Sequence, residues 1–286
     1  MNYRHAFHAG NFADVHKHCI LTRILMHLRG KAAPFRVLDT HAGAGRYDLL
    51  GPEASRSGEW RNGIDRVRSA PLEKGRYAFL TPYLDAVAAF NRDGELRFYP
   101  GSPLIAAHLL RPQDRLTACE LEPQSAAKLA AALRGERCAK ALAIDGWTAL
   151  AAYVPPKERR GLVLIDPPYE DAADFTRLSR AFAAAHRKWP TGIYMLWYPI
   201  KERDAADALG RRLRLLAVPK LLRSELTIGP PRADAGLVGS GVIVANPPFT
   251  LERELRTFMP ALGEVLSSQA AVRTDWLAGE GRSDGN

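Results

Sequence analysis

Residues 35–47 read FRVLDTHAGAGRY, a short apolar run followed by a turn that contains two glycines. The run predicts a first β-strand ending near Asp39, and the glycines predict a turn from strand to helix where a ligand can approach the backbone. A dinucleotide-binding fingerprint would require a third glycine at position 48, where Asp48 stands. The stretch therefore indicates an α/β sheet that binds its ligand at the carboxyl ends of the strands, without the pyrophosphate fingerprint.

Further apolar runs follow, separated by segments of helical length, and predict a mostly parallel sheet. They are RLTACE (115–120), AKALAID (139–145), GLVLID (161–166) and GIYMLWYP (192–199). Near the carboxyl terminus, LRLLAVPKLLRSELTI (213–228) and GLVGSGVIVAN (236–246) are joined by GPPRADAG, which predicts an antiparallel hairpin. We therefore predict a Rossmann-like α/β fold with a seven-stranded sheet whose last strand is antiparallel.

Three segments lie outside this alternation. NFADVHKHCILTRILMHLR (11–29) has apolar residues at helical spacing and predicts a helix capped by Asn11 or Asp14. The first crossover is unusually long, so we predict an inserted helical subdomain over 48–100 within a discontinuous domain formed by 1–47 and 101–270. Residues 271–286, which end in LAGEGRSDGN, are predicted to be a flexible tail.

Composition limits the function classes that the chain can belong to. Of its 286 residues, 47% are hydrophobic and 25% are charged, which is ordinary for a globular protein with a full core. The net charge of +9 favours a polyanionic partner such as nucleic acid. Three scattered cysteines form no Cys-x-x-Cys pair, so neither a disulfide framework nor a zinc site is indicated. No apolar stretch approaches the roughly 20 residues of a membrane span, and the amino terminus is polar, so we expect a cytoplasmic protein without a membrane partner.

Acidic residues end the second and third predicted strands. Glu120 at the second strand end can accept hydrogen bonds from two ribose hydroxyls, and Asp145, followed by Gly146, can accept one from an adenine amino group. Either acid alone is more typical of a helix cap. Together with the glycine turn at Gly43 they predict a site for S-adenosylmethionine, a nucleoside without phosphate, rather than for NAD.

Two copies of one short pattern follow apolar runs, DPPY at 166–169 and NPPF at 246–249. In such a pattern the acid or amide oxygen and a backbone carbonyl can hold the hydrogens of an exocyclic amine for methylation. The prolines restrict the backbone around that carbonyl, and the aromatic ring can stack on a flipped base.

Strand order decides between the two copies. In a doubly wound sheet the strand that ends in DPPY lies beside the first strand and its glycine turn. The strand that ends in NPPF is predicted to be antiparallel, so this copy lies at the opposite edge, and we interpret it as a strand end with a packed Phe249. Catalysis is therefore assigned to Asp166, Pro167 and Tyr169.

With these residues assembled, the chain resembles the RlmJ family of 23S ribosomal RNA adenine-N6 methyltransferases. The resemblance is carried, in order, by YRHAFHAGNFADVHKH, LDTHAGAGRY, YPGSPLIA, DGW, RRGLVLIDPPYE, LWYP and SGVIVANPPF, which cover nearly the whole chain. It implies the class I S-adenosylmethionine-dependent methyltransferase fold. One departure is His16 in DVHKH, where an aliphatic residue is commoner, and no function is assigned to it.

The resemblance also implies ligands and site residues. S-adenosylmethionine would be the methyl donor, S-adenosylhomocysteine the product and 23S ribosomal RNA the substrate. Apart from the resemblance, we expect free or partly assembled RNA, because sequence-specific recognition usually targets exposed single-stranded bases, and a monomeric enzyme without a metal. Asp166 would hold the target amino group, and Tyr3 would contact the substrate base. Arg4 and Lys17 could meet phosphates or the cofactor carboxylate. Cofactor contacts would fall on His18, His41, Gly43, Ser102, Glu120, Asp145, Gly146 and Asp166.

Several alternatives stay open at this point. The same motif can serve methylation of guanine N2 in ribosomal RNA or adenine N6 in DNA, and a non-catalytic RNA-binding protein is the alternative from another class. The inserted segment either grips RNA or forms a solvated helical cap that only stabilises the sheet. Its candidate RNA contacts are Arg56, Arg61, Arg66 and Arg68.

Overall fold

The computed structural model describes residues 4–71, 77–91, 93–171, 173–230 and 236–279. The helices are α1 (Phe12–Arg29), α2 (Pro52–Ser57), α3 (Ile64–Ser69), α4 (Thr81–Ala89), α5 (Ser102–Leu109), α6 (Pro123–Ala132), α7 (Gly146–Tyr153), α8 (Ala173–Lys188), α9 (Arg203–Leu215) and α10 (Leu251–Leu266). The strands are β1 (Arg36–Asp39), β2 (Arg46–Asp48), β3 (Phe98–Pro100), β4 (Arg115–Glu120), β5 (Ala139–Ala143), β6 (Gly161–Ile165), β7 (Ile193–Ile200), β8 (Leu221–Thr227), β9 (Gly239–Ala245) and β10 (Ala271–Ala278). Short 3₁₀ turns occupy His5–Phe7, Glu59–Asn62 and Tyr77–Phe79.

The main sheet has the strand order β10-β8-β9-β7-β6-β1-β4-β5. Five neighbouring strands are parallel to one another, namely β5, β4, β1, β6 and β7. β9 runs antiparallel to both β7 and β8. β1 lies directly beside β6, with Val37 opposite Leu162. The structure therefore confirms the predicted α/β class, the switch point between the first and fourth predicted strands, and the antiparallel hairpin of β8 and β9.

Within the described residues the main sheet has eight strands rather than seven, and the prediction of a flexible tail is wrong for residues 271–278. These residues form β10, which pairs antiparallel with β8, Ala271 lying opposite Thr227. Because β10 is a partly exposed edge strand, it carries polar and charged residues and lacks the apolar run that identifies interior strands. Its Asp275 accepts two hydrogen bonds, of 2.8 and 2.7 Å, from the Arg223 guanidinium on β8.

Removing β10 is expected to destabilise the protein strongly. Truncation after residue 270 leaves Arg223, which is 3% exposed, without Asp275. Breaking a buried ion pair costs about 3–5 kcal/mol, so we expect the melting temperature to fall by about 10 °C or more. Calorimetry of a chain ending at residue 279, which keeps β10, provides the matched control, and equal melting of the two chains would contradict the expectation.

The glycine turn after β1 leads into β2, and the helix predicted directly after it is not there. β2 pairs antiparallel with β3. In the sequence, the helices α2, α3 and α4 come between these two strands. The crossover helix α5 begins only after Gly101, whose N–H donates to the carbonyl of Gly45 at 2.7 Å. The chain thus departs at the glycine turn, forms the segment from β2 to β3, and returns to the same turn before α5 begins. The interpretation of 48–100 as a separate subdomain stays a prediction.

Helix α1 is buried along most of its length, where it packs against α5, α4 and the sheet strands β9 and β6. The Asn11 side chain caps it by accepting from the N–H groups of Ala13 and Asp14, as the sequence predicted. Its buried polar residues Asp14, Lys17 and His18 therefore face the interior of the protein. Among the helices that the described residues form, none combines the length and the apolar character needed to cross a bilayer.

Candidate active site

A cleft of about 1670 Å³ lies at the carboxyl ends of the parallel strands. This volume exceeds the roughly 300–1,000 Å³ of a typical small-molecule site, so the cleft has room for two ligands side by side. The predicted catalytic and cofactor-binding residues line it, as does Arg4, whereas Tyr3 lies outside the described residues. The lining includes Arg4, His18, His41, Gly43, Ser102, Glu120, Asp145, Gly146, Asp166, Pro167 and Tyr169.

Two glycines keep one wall of the cleft free of side chains. Gly43 has a φ of +62°, and a Cβ there would overlap the Tyr47 hydroxyl. A Cβ at Gly146 would overlap the Thr40 carbonyl and lie 2.9 Å from the His41 ring. These positions accept no side chain without rearrangement, so the backbone itself forms the wall, as close approach of a flat ligand requires.

The carboxylates of Glu120 and Asp145 occupy the strand ends where the sequence placed them. Glu120 accepts from the N–H groups of Gly43 and Glu122, at 2.9 and 2.8 Å. Asp145 caps α7 by accepting from the Thr148 N–H and hydroxyl, both at 2.9 Å. A carboxylate has about four acceptor positions, so these bonds orient both groups and leave capacity for ligand donors.

Two buried polar atoms beside the cleft, His18 Nε2 and Asp39 Oδ1, have no hydrogen-bond partner among the described residues. His18 Nδ1 lies 2.7 Å from the Tyr99 hydroxyl, and burial lowers the pKa of His18 to about 3, so its ring is neutral. Ser102 donates to Asp39 Oδ2 at 2.6 Å. Burial raises the pKa of Asp39 to about 7. The Ser102 hydrogen bond opposes this shift, and the nearby charge of Asp166 adds to it. Unpaired buried polar atoms are costly, and a polar ligand in the cleft would relieve that cost.

A buried lysine joins two carboxylates at the cleft floor. Lys17 Nζ lies 2.6 Å from Asp166 Oδ2 and 2.9 Å from Asp14 Oδ1. Burial lowers the pKa of Lys17, but the charges of Asp14 and Asp166 outweigh it and raise that pKa above its ordinary 10.5. Burial likewise opposes ionisation of Asp14, yet the charges of His5 and Lys17 hold its pKa well below 3.8. The ammonium therefore stays charged and fixes the orientation of the Asp166 carboxylate.

Tyr169 is held tightly in place next to Asp166. Its φ is +50°, and its hydroxyl donates to the Trp197 carbonyl at 2.6 Å. Its ring centre lies 4.8 Å from that of Phe175 and 5.8 Å from that of Trp197. Since Tyr169 is only 8% exposed, the half-buried Trp197 provides much of the aromatic surface beside Asp166. The predicted stacking of Tyr169 on a base stays a prediction.

The second Pro-Pro motif lies away from this cleft, as predicted. Asn246 follows the antiparallel β9, and its Nδ2 donates to the carbonyls of Pro190 and Gly192 at 2.6 and 2.8 Å. The interpretation of Phe249 as a packed residue is wrong, because its ring is 89% exposed. The turn that carries it is thus well bonded, while the ring itself lies in solvent.

Asp14 and Trp197 are site residues that the sequence interpretation missed. Asp14 precedes Lys17 by three residues, a spacing that places both on one face of α1 and that a search for helical ion pairs would have found. Trp197 lies in the LWYP segment of β7, the parallel neighbour of the DPPY strand, so strand adjacency was the available signal.

His16 lies in the core and does not line the cleft. Its two ring nitrogens lie 2.9 and 3.0 Å from the hydroxyls of Ser240 and Ser224, and burial lowers its pKa to about 3. A neutral imidazole here links α1 to β8 and β9, which is a structural role. The described residues contain no group of three or more His, Cys, Asp or Glu side chains arranged to hold a metal ion.

The four arginines of the inserted segment differ in what they contact. Arg66 donates to the Leu266 carbonyl at 2.8 Å and Arg68 to the Gly94 carbonyl at 2.7 Å, so these two tie chain segments together. Arg56 lies 4.7 Å from the Phe7 ring centre and Arg61 lies 4.8 Å from that of Trp60. An RNA-gripping role for the segment stays a prediction, and Arg56 and Arg61 are its better candidates.

Comparison with known proteins agrees with this architecture. The family described as "Ribosomal RNA large subunit methyltransferase D, RlmJ" matches residues 32–278. The chain belongs to the RlmJ family. Ribosomal RNA large subunit methyltransferase J of Escherichia coli (strain K12) is 42% identical over 98% of this chain and 100% of that protein. The protein of the same name from Haemophilus influenzae is 37% identical, again over 98% of this chain and 100% of that protein.

A solved structure has the same architecture over nearly the whole chain. The crystal structure of a protein from Legionella pneumophila str. Philadelphia 1 superposes with a TM-score of 0.85 at 32% identity, covering 96% of this chain and 99% of that one. The resemblance found in the sequence is thus confirmed. Together with the parallel sheet and its glycine turn, it gives the chain the class I S-adenosylmethionine-dependent methyltransferase fold.

Proposed function

We propose that this protein transfers a methyl group from S-adenosylmethionine to the exocyclic N6 of an adenine in 23S ribosomal RNA. Its membership of a family of ribosomal RNA large subunit methyltransferases gives the reaction class. The observation that carries the finer proposal is the Asp166 carboxylate, held by Lys17 at 2.6 Å in the same cleft as the Gly43 turn. An amine placed there would lie beside the methyl donor.

The cofactor half of the cleft is acidic and has a bare backbone wall. Glu120 suits the ribose hydroxyls, Asp145 the adenine amino group, and the neutral His18 and His41 the remaining polar edges. A cleft lined by carboxylates also attracts a cation electrostatically. When bound, S-adenosylmethionine supplies an electrophilic methyl group on a positively charged sulfur.

The substrate half of the cleft can orient an amino group. Lys17 engages one oxygen of Asp166, and the carboxylate retains acceptor positions for an amino hydrogen. The Pro167 carbonyl, in a backbone restricted by two prolines, can accept the second hydrogen. Fixing the nitrogen in this way turns its lone pair towards the donor, and orientation of this kind is a large source of rate enhancement. In the transfer, the N–C bond would form as the bond between the methyl group and sulfur breaks, which would leave S-adenosylhomocysteine. The nitrogen would lose one proton, which Asp166 is placed to accept.

The aromatic rings around Asp166 favour a planar base over an aliphatic amine. Tyr169 and Trp197 form one side of the substrate half, and Arg4, whose side chain is 71% exposed, lies at the rim. An adenine must leave its helix to reach the floor, so unpaired nucleotides are the expected target. Free or partly assembled RNA meets this requirement more readily than RNA packed in a finished particle.

The test is to incubate the protein with isotopically labelled S-adenosylmethionine and protein-free 23S ribosomal RNA, and to analyse the digested nucleosides by mass spectrometry. We expect label in N6-methyladenosine and none in duplex DNA of the same sequence. Label in N2-methylguanosine would contradict adenine as the target and support the alternative, guanine N2. RNA binding without any label would support a non-catalytic binding protein.

A further inference from the structure

A second cleft, of about 260 Å³, lies at the other end of the central strands. Gly161, where β6 begins, lines it, and so do Asn246 and Phe249, which follow β9. Asp166 comes directly after the last residue of β6. Since a strand rises about 3.3 Å per residue, the second cleft and Asp166 are separated by about 17 Å along β6. An RNA of moderate length can therefore contact both.

The second cleft is basic. Among the described residues that line it are His27, Lys31, Arg159 and Arg160, and none is an Asp or Glu. The Arg160 guanidinium donates to the carbonyls of Ala33, at 2.9 Å, and Leu28, which fixes its position without cancelling its charge. Lys31 and Arg159 are exposed. Burial lowers the pKa of His27, and the charges of Arg160 and Lys31 lower it further, while the charge of Glu254 opposes them. His27 therefore lies in a positive potential.

Phe249 adds an aromatic surface to this positive potential. Its ring is 89% exposed and lies edge-on to His27, with ring centres 5.8 Å apart. The backbone on both sides is held, because Asn246 Nδ2 bonds to two carbonyls and the Leu251 N–H donates to the Pro248 carbonyl at 2.9 Å. The ring is thus presented to solvent by a bonded turn. Exposed aromatic rings beside lysine and arginine are the arrangement by which proteins bind single-stranded nucleic acid, with bases stacked on the rings and phosphates near the cations.

We propose that this second cleft binds an unpaired segment of the RNA substrate, with one base stacked on Phe249 and the adjoining phosphates near Lys31 and Arg159. The proposal rests on the proposed function, since its ligand is the RNA that the first cleft methylates. It assigns a role to the NPPF motif, which the methylation site leaves unused: the two prolines and Asn246 hold Phe249 in position. Binding at this cleft would contribute affinity and register without contacting the reacting atoms.

Steady-state kinetics with 23S ribosomal RNA separate this role from catalysis. For Lys31→Glu/Arg159→Glu we expect the KM for RNA to rise at least about 5-fold, with kcat and the KM for S-adenosylmethionine unchanged. The salt dependence of RNA affinity should weaken, its logarithmic slope falling by about 0.7 for each lost phosphate contact. Phe249→Ala should weaken RNA binding about 5-fold or more and leave the slope unchanged, because stacking involves no counterion release.

Matched variants on α9 serve as controls. Arg211→Glu/Arg214→Glu makes the same change in net charge, and Leu215→Ala removes another exposed apolar side chain. If these controls raise the KM for RNA as much as the cleft variants do, or if none of the variants raises it, the proposal is overturned.

A local readout works even without methyl transfer. The pKa of the His27 ring can be measured by NMR with and without a single-stranded RNA hexanucleotide. Bound RNA should raise this pKa, because its phosphates offset the charges of Arg160 and Lys31. An unchanged His27 pKa would overturn the second site. If the pKa rises while the labelling experiment yields no N6-methyladenosine, the proposed reaction fails and the RNA site stands.

Discussion

Asp166→Ala is expected to lower kcat for methyl transfer by about 10²–10⁴-fold, the range that a positioned acid–base group contributes. The reason is that, in the proposed function, the carboxylate at the end of β6 would hold the target amino group and accept its proton, while Lys17 fixes its orientation at 2.6 Å. The measurement is single-turnover transfer of labelled methyl to RNA at saturating concentrations of both substrates, so that a change in affinity does not contribute.

The affinity for S-adenosylmethionine serves as the control for Asp166→Ala. Glu120 and Asp145 keep their backbone partners in this variant, so calorimetric binding of the cofactor should change much less than kcat. Asp166→Asn keeps one acceptor oxygen but loses the negative charge, and we expect intermediate activity. If Asp166→Ala retained wild-type kcat, the assignment of the substrate half of the cleft would be wrong.

Lys17→Met is expected to reduce both stability and activity. Removing the ammonium leaves the buried Asp14 and the partly buried Asp166 without their shared partner. Loss of one member of a buried ion pair such as Lys17–Asp14 costs about 3–5 kcal/mol of unfolding free energy. Because the pKa of Lys17 is raised in the folded state, its stabilising effect is complete below the unfolded value near 10.5 and is lost only as the pH rises above it. Denaturant unfolding at pH 7 therefore measures the full loss.

A kinetic comparison distinguishes positioning of Asp166 from a purely structural role of Lys17. Without the ammonium, Asp166 loses the contact that fixes its orientation at 2.6 Å, so we expect the kcat of folded Lys17→Met at pH 7 to fall while its KM for RNA changes less. Lys17→Arg keeps the charge and should restore part of the stability and of kcat. A Lys17→Met variant that is less stable but keeps the wild-type kcat while folded would show that Lys17 acts only through the fold.

Much of the fold could be predicted because its signals are local. The apolar runs of β1, β4, β6 and β7, the glycines at Gly43 and Gly45 and the cap at Asn11 each depend on a few consecutive residues. The edge strand β10 could not be recognised, because its partly exposed residues do not need an apolar pattern and its pairing with β8 is a long-range contact. For the same reason the glycine turn was followed by a helix in the prediction and by β2 in the structure.

By itself, the sequence determined the class of the fold and predicted that DPPY lies beside the glycine turn whereas NPPF lies at the opposite edge of the sheet. These follow from strand order, because parallel neighbours end at one edge and an antiparallel strand ends at the other. Only the tertiary structure decided that Lys17 joins Asp166 to Asp14, that His18 Nε2 has no partner within the described parts of the chain, and that Phe249 is exposed. Such facts depend on which distant residues meet and on how much water each keeps, and neither is encoded in the spacing of residues along the chain.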